Sequence, residues 1–411
     1  MSRQRSYVVL PDEVAENAPI TLRGYQEAAQ RTDQMDRNDL GTPIFGLFGE
    51  IGSLLAALKK KRREGEVYAT YDETILEELG DALWYLCAVA THAGLSINDI
   101  ACHVPHDPLH AWSDRRPDAS LTLAALQEQA PTIGSDDVAV VAEELAVCAG
   151  DLIESHRTGK LVANRDAVSS RVLAMLRAIV RLAHAAGVSL DDAARENLHK
   201  TFSRWPIDPS TPPYPEPLVP DSSLPKNERF PRRFRMLIKE YRVGDKTYVL
   251  QKCNGIIIGD RLTDNKAEKD DYRFHDVFHI AYAVHLGWSP VLRALFKIKR
   301  KSRPELDENE DGARAILTEE GIATFVFGRA LERKLFAGLK NLDYDLLKLV
   351  QDLVRGFEAE RFAAWQWERA ILDGFEVFRE MIRIENRGGW VVADLDTHAI
   401  KFEAGDDESE D

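Results

Sequence analysis

Glu50, Glu78 and Asp81 stand among apolar residues on stretches that read as helix, where an unpaired charge is costly to bury. Glu78 and Asp81 are three apart and share one helical face. Glu50 sits on the preceding helical segment, and a basic run from Lys59 to Arg63 follows it. A hard divalent cation takes oxygen ligands from one or two carboxylates and shares its other positions with water and phosphate. This residue set therefore suits Mg2+, or Mn2+ in its place, together with a polyphosphate. Glu77 is a spare acid, turned away from Glu78 around the helix. Lys60 and Arg63 are placed to reach phosphate from the second helix, although a solvated basic face has the same spacing.

A second cluster lies far downstream. Arg273-Phe274-His275-Asp276-Val277-Phe278-His279 puts two histidines at i and i+4 on one helical face with Asp276 beside them. That is the spacing of a two-His metal site, with Asp where zinc peptidases carry Glu. Glu319 and Glu320, forty residues on, are placed to add a ligand from another helix. His275 with Asp276 also resembles an HD-type phosphohydrolase, and Arg273 with His279 loosely resembles the Arg-x-His motif of HEPN ribonucleases; each lacks the rest of its signature. A His/Asp network that only holds two helices together accounts for the same residues.

Helices must position the first cluster. Leu76, Leu79, Leu83, Leu86 and Ala90 recur at helical spacing, and the pattern predicts helices near 21–37, 44–63 and 72–93. Gly94 ends the third, and Ser96 caps a short one at 97–100. The pattern then recurs. Ala93-Gly94-Leu95-Ser96-Ile97-Asn98-Asp99 is echoed 93 residues later by Ala186-Gly187-Val188-Ser189-Leu190-Asp191-Asp192. On that offset Glu50 falls on Glu143, Glu78 on Arg171 and Asp81 on Ala174, which reads as a duplication whose second copy has lost its acidic set. Only the second copy ends in Asn197-Leu198-His199-Lys200-Thr201-Phe202-Ser203-Arg204-Trp205-Pro206.

The stretches Gly46-Leu47-Phe48-Gly49-Glu50-Ile51-Gly52-Ser53 and Glu77-Glu78-Leu79-Gly80-Asp81-Ala82-Leu83-Trp84-Tyr85 resemble the MazG-like family of all-α nucleoside triphosphate pyrophosphohydrolases. That family carries Glu-x-x-Glu, a spacer and Glu-x-x-Asp. Tyr25-Gln26-Glu27-Ala28-Ala29-Gln30-Arg31-Thr32 is similar to the family's first helix, and the resemblance covers 21–100 closely and 119–206 more weakly. Ser53 stands where the second Glu of the first pair belongs, and a hydroxyl brings no negative charge. The resemblance implies attack of water on the α-phosphorus of a nucleoside triphosphate, releasing pyrophosphate and a monophosphate. Glu50, Ser53, Glu78 and Asp81 would hold the metal, a carboxylate (Glu77 being the spare) would orient the water, and Gln26 would border the nucleotide. It also implies that Asn197 and Lys200 face phosphate. The two copies would complete one site as a pseudo-dimer, where relatives oligomerise; a homo-oligomer stays open as well. Trp84 and Tyr85 are assigned to packing rather than base stacking. The C-terminal part looks like the extension found on some bacterial MazG-like proteins.

Two other functions compete with the pyrophosphohydrolase. One is a nucleotide-binding sensor in which Ser53 weakens catalysis. The other is a metal-dependent phosphohydrolase or nuclease centred on His275, Asp276 and His279. A nucleotide-hydrolysing module joined to a second domain fits nucleotide-pool control or defence.

Bulk properties set the frame. A chain of 411 residues, 44% hydrophobic and 29% charged, holds two or three domains of ordinary globular composition. The net charge of −15 argues against a general nucleic-acid coat and leaves nucleic acid open only for the C-terminal domain, whose basic run Lys297 to Arg303 is neutralised by the acidic Glu305 to Asp311. The four cysteines show no Cys-x-x-Cys spacing, which excludes a zinc ribbon. No signal region or spanning run is read, so the expectation is a cytoplasmic protein without membrane contact. The expected fold is mainly α: a tandem, degenerate all-α bundle, then a mostly helical domain with a small β-hairpin. The expected domains are a metal-bearing repeat at 21–103, a degenerate repeat at 119–206, a proline-rich linker at 207–231, an α+β domain at 232–398 and an acidic disordered tail at 399–411. The hairpin is placed around Gly244-Asp245 with strands Arg235 to Lys246 and Thr247 to Ile258, and a last short strand at Trp390 to Asp394.

Overall fold

Side-chain caps decide where the helices of the first half begin and end. α1 (Leu22–Thr32) starts at Thr21, whose hydroxyl accepts the Gly24 amide. It stops short of residue 37 because Asp33 and Asp36 turn the chain, accepting the amides of Met35 and Asn38. α2 (Gly41–Glu64) starts earlier than residue 44, with Asp39 accepting the Gly41 amide and Pro43 in the first turn. α3 (Tyr71–His92) and α4 (Ile97–Ala101) follow, the latter capped by Ser96 as expected. Next come α5 (Leu123–Gln129), α6 (Val138–Arg157), α7 (Arg165–Ala186) and α8 (Leu190–Arg204).

The computed structural model describes residues 8–14, 18–102, 121–129, 137–162, 164–208, 214 and 221–405. The expected proline- and histidine-containing link from 105 to 117 lies outside them, as does 406–411 of the expected tail. The chain forms two units, residues 8–212 and the residues from 213 onward. In the first, Leu47 and Ile51 of α2, Leu79 and Leu83 of α3, Leu145 of α6 and Val172 and Leu176 of α7 belong to one core. Among the described residues, one helical stretch, Gly41–Val67, is long and apolar enough to cross a membrane, by length and composition only. Its Ile44, Leu47, Ile51, Leu54 and Ala57 are buried in that core.

α6, α7 and α8 lie near the positions that the 93-residue offset assigns from α2, α3 and α4. A hydrogen-bond pattern repeats on it too. Gln26 accepts the Ile97 amide and donates to the Leu95 carbonyl; Gln127 accepts the Leu190 amide and donates to the Val188 carbonyl. The first helices obey a different offset, 101, from Thr21 to Thr122. These two residues form an antiparallel bridge, in which Leu22 N–H donates to Leu121 O and Leu123 N–H to Ile20 O. The bridge is reciprocal, as a two-fold relation between two copies requires.

The second unit holds β1 (Arg233–Val243), β2 (Lys246–Cys253), β3 (Ile256–Leu262), α9 (Asp276–Leu286), α10 (Pro290–Leu295), α11 (Pro304–Asn309), α12 (Ala313–Leu331), α13 (Tyr344–Leu353), α14 (Ala364–Met381), β4 (Gly388–Asp394) and β5 (Ala399–Glu403). The strands form an antiparallel sheet in the order β3-β2-β1-β4-β5. The hairpin at Gly244-Asp245 is present. Thr247 to Ile258 is not one strand, however: Asn254 and Gly255 both take positive φ and turn the chain back into β3. Residues 399–403, expected in the tail, pair with β4 and cover its edge. Residues 221–231, expected in the linker, pack onto this unit through buried Leu224 and Phe230, and Arg293 donates to the Glu228 carbonyl. The architecture is mostly helical with a small C-terminal sheet, as expected.

Candidate functional sites

α2 and α3 run together and bring one oxygen each of Glu50, Glu78 and Asp81 within 4.8 Å of one another. The side chains are half-buried. Burial, a shared hydrogen bond with Glu50 and the charges of Glu50, Asp81 and Glu77 push Glu78 up to about 8. Burial first, and then the charge of Asp81, also raises Glu50. A carboxyl group climbs this far when negative charge is crowded into a poorly solvated place. That excess of negative charge, all on oxygen, is what a hard divalent cation offsets, so the donor set fits Mg2+.

α8 supplies the opposite sign. Lys200 Nζ contacts Asp81 Oδ2 and lies 3.4 Å from Glu77 Oε1, and Asn197 Nδ2 donates to Asp81 Oδ1 at 2.8 Å. Both residues were expected at phosphate; here they stand on the carboxylates themselves. Tyr25 OH donates to Asn197 Oδ1 at 3.1 Å, which turns the amide so that its NH2 faces Asp81. Neither Tyr25 nor Gly80 was singled out from sequence. A Cβ on Gly80 would sit 2.4 Å from the Ala193 carbonyl, so glycine is what lets α8 approach α3 here. Its signal was present in the run Glu77-Glu78-Leu79-Gly80-Asp81.

Other expected residues lie differently. Ser53 is half-buried one turn beyond Glu50. Glu77 is outside the acidic triad and engaged by Lys200. Gln26 spends its amide on Thr91, Leu95 and Ile97, holding α1 to the α3–α4 junction, where a nucleotide contact was expected. Lys60 lies over the Tyr68 ring at 4.1 Å and Arg63 pairs with Glu64. Trp84 is nearly buried, donates from Nε1 to Thr32 and meets Tyr85 edge-on at 5.0 Å. In the second half, Arg171 donates to Ser155, and exposed Glu143 lines a shallow cleft with Lys59 and Arg62.

The downstream residues also meet. α9 is buried along its whole length, so its polar side chains need partners inside the unit. His279, on α9, faces Glu319, on α12: Nδ1 stands 2.9 Å from Glu319 Oε1. Glu319 also accepts Ser289 Oγ–H at 2.7 Å and the Val291 amide at 2.8 Å. His275 Nδ1 lies 2.9 Å from the Tyr272 carbonyl, and the Tyr272 ring stacks on the imidazole at 4.3 Å. On the far side of both rings, His275 Nε2 and His279 Nε2 each lie 3.6 Å from Glu320, and Asp276 Oδ1 is 3.4 Å from the former and 4.0 Å from the latter. Burial disfavours the charged His279 imidazole, but Glu319 and Glu320 outweigh it and raise its pKa well above the usual value.

Arg273 does not join His279. It is buried, and its guanidinium is held by Glu240, Asp264 and Asp271, which removes the basis of the HEPN-like reading. In the basic run, Arg300 is buried against Asp311 and Glu358.

Residues 216–406, just under half of the chain, match the family model of the MazG C-terminal domain, and a domain of that family is present there. No curated protein and no solved structure matches the chain. The MazG C-terminal domain and the His275/His279/Glu320 cluster, whose two histidines are buried, together support a hydrolase-type, metal-dependent role in general.

Proposed function

We propose that residues 8–212 form a Mg2+-dependent nucleoside triphosphate pyrophosphohydrolase built from two copies of one helical unit. The observation that carries this reading is the meeting of Glu50, Glu78 and Asp81 from the first copy with Asn197 and Lys200 from the last helix of the second. The reciprocal bridge at Thr21 and Thr122 and the paired roles of Gln26 and Gln127 support the duplication. The second copy lacks the acidic set but contributes α8, so the site is composite.

Glu50, Glu78 and Asp81 would hold the metal, which would supply positive charge to the phosphates. Asn197 and Lys200 fix Asp81, so one carboxylate is oriented before any ligand arrives. Lys200 stands beside the triad and supplies positive charge to a triphosphate seated there. With Glu77 drawn to Lys200, a triad carboxylate is left to orient the attacking water. Water attacks the α-phosphorus, its oxygen stays on the monophosphate, and pyrophosphate leaves.

The test uses the full chain with a panel of nucleoside triphosphates and Mg2+, reading pyrophosphate. Wild type should turn over at least one of them, and Glu78→Gln should lose about a hundredfold or more. Undiminished release from a variant with all three acids neutralised would overturn the assignment. Ser53, in place of a fourth carboxylate, supports a second reading as a nucleotide sensor. Tight nucleotide binding without turnover in the same panel would select it.

A further inference from the structure

We propose that His275, His279 and Glu320, with Asp276 beside them, form a second metal centre that takes a first-row transition ion of the Zn2+ kind rather than Mg2+. The argument starts from the imidazole tautomers. The Tyr272 carbonyl can only accept, so His275 carries its proton on Nδ1 and presents a lone pair at Nε2. Glu319 accepts from Ser289 and Val291, so its Oε1 contact with His279 places that ring's proton on Nδ1 as well. Both outer nitrogens then point their lone pairs to one side. A histidine whose other ring nitrogen donates to a carboxylate or a backbone carbonyl is the standard preparation of a metal ligand.

A site between the rings is the second observation. His279 has no side-chain exposure, yet its Nε2 makes no hydrogen bond among the described residues. One donor atom each from His275, His279 and Glu320 lies within 4.8 Å of the others. Lone pairs facing two carboxylates repel unless positive charge, a proton or a metal ion, sits among them, and a metal ion takes both nitrogens and a carboxylate at once. At 3.4–4.0 Å these contacts are longer than well-formed hydrogen bonds and leave room between the groups. Mixed imidazole and carboxylate donors suit Zn2+, Fe2+ or Mn2+, whereas Mg2+ prefers oxygen. Glu320 is the most exposed of the set and marks the side from which an ion and a water would enter. An ion held here would acidify a bound water, the property a hydrolytic centre needs.

The test titrates the metal-free full chain with Zn2+, and with Co2+ as an optical reporter. One equivalent should bind with ligand-field bands, both in wild type and in the variant Glu50→Gln, Glu78→Gln, Asp81→Asn. His279→Ala should lose the bands, and Glu320→Gln, a change at a partly exposed position that spares the core, should weaken Zn2+ binding roughly tenfold or more. Zn2+ should raise the wild-type Tm but not that of Glu320→Gln at the same ion concentration. Absence of bands in the folded wild type, equal Zn2+ affinity in Glu320→Gln, or loss of bands only in the acidic triple variant would each overturn the proposal. The reading stands or falls independently of the pyrophosphohydrolase site.

Discussion

In the proposed pyrophosphohydrolase, Lys200 is the residue on which the chemistry would turn, because its amine contacts Asp81 of the acidic triad. Removing it leaves the carboxylates with less compensation, which should favour any cation that replaces it. Lys200→Met is therefore expected to tighten Mg2+ binding while slowing pyrophosphate release about tenfold or more, since the triphosphate loses its positive neighbour. Calorimetric Mg2+ titration beside the pyrophosphate assay checks both halves, and weaker Mg2+ binding would contradict the electrostatic account. Ser53→Glu should also tighten Mg2+ binding, by restoring a charged ligand one turn from Glu50. An unchanged titration would place Ser53 outside the coordination sphere. The three acids were legible because charge among apolar residues is anomalous in sequence. The roles of Tyr25 and Asn197 were not, since a hydrogen bond between residues 172 apart leaves no local pattern.

At the scale of elements, the approach of α8 to α3 is the decisive contact. Gly80 permits it, so Gly80→Ala must push the helices apart or strain the Ala193 carbonyl. The expected outcome is a loss of about 1–3 kcal/mol in urea unfolding and a larger loss of pyrophosphate release, because Asn197 and Lys200 move with α8. Unaltered activity in that variant would mean that α8 does not complete the site. The helices themselves were readable from apolar spacing and, for the short fourth one, from the cap at Ser96. Their ends were less so: Asp33 stops α1 and Asp39 starts α2, and each acts through its own side chain rather than through periodicity. In the second unit the Asn254-Gly255 turn was a readable signal that a continuous run of β-formers concealed. The edge strand β5 was not readable, because a stretch ending in acids resembles a tail until β4 is there to pair with it.

At the scale of the whole molecule, each unit has its own large core and carries one of the two candidate sites. Their stabilities need not respond to the same conditions. In the C-terminal unit, burial above all, with Glu358 and Asp311 nearby, raises Glu310 to about 7. The folded state therefore favours the protonated carboxyl, while the unfolded chain ionises near its ordinary value of 4.5. The contribution is most favourable at low pH, declines as pH rises from about 4.5 to 7, and is flat above that range. Glu310→Gln keeps an acceptor for the Glu358 amide and removes the ionisation. It should raise the Tm of this unit at pH 8 by a few degrees and leave it nearly unchanged at pH 4. An equal shift at both pH values would show that packing, not protonation, explains the change.

By itself the sequence determined the helical class, the acidic triad, the i and i+4 histidines and the echo 93 residues apart, because each is a local or periodic signal. Only the tertiary structure decided that Lys200 and Asn197 stand on Asp81, that Gln26 is an anchor, and that Glu319 backs His279 while Glu320 faces it. Those assignments depend on how closely helices approach and which way side chains point across them. Close packing settles both, and a one-dimensional pattern does not encode them.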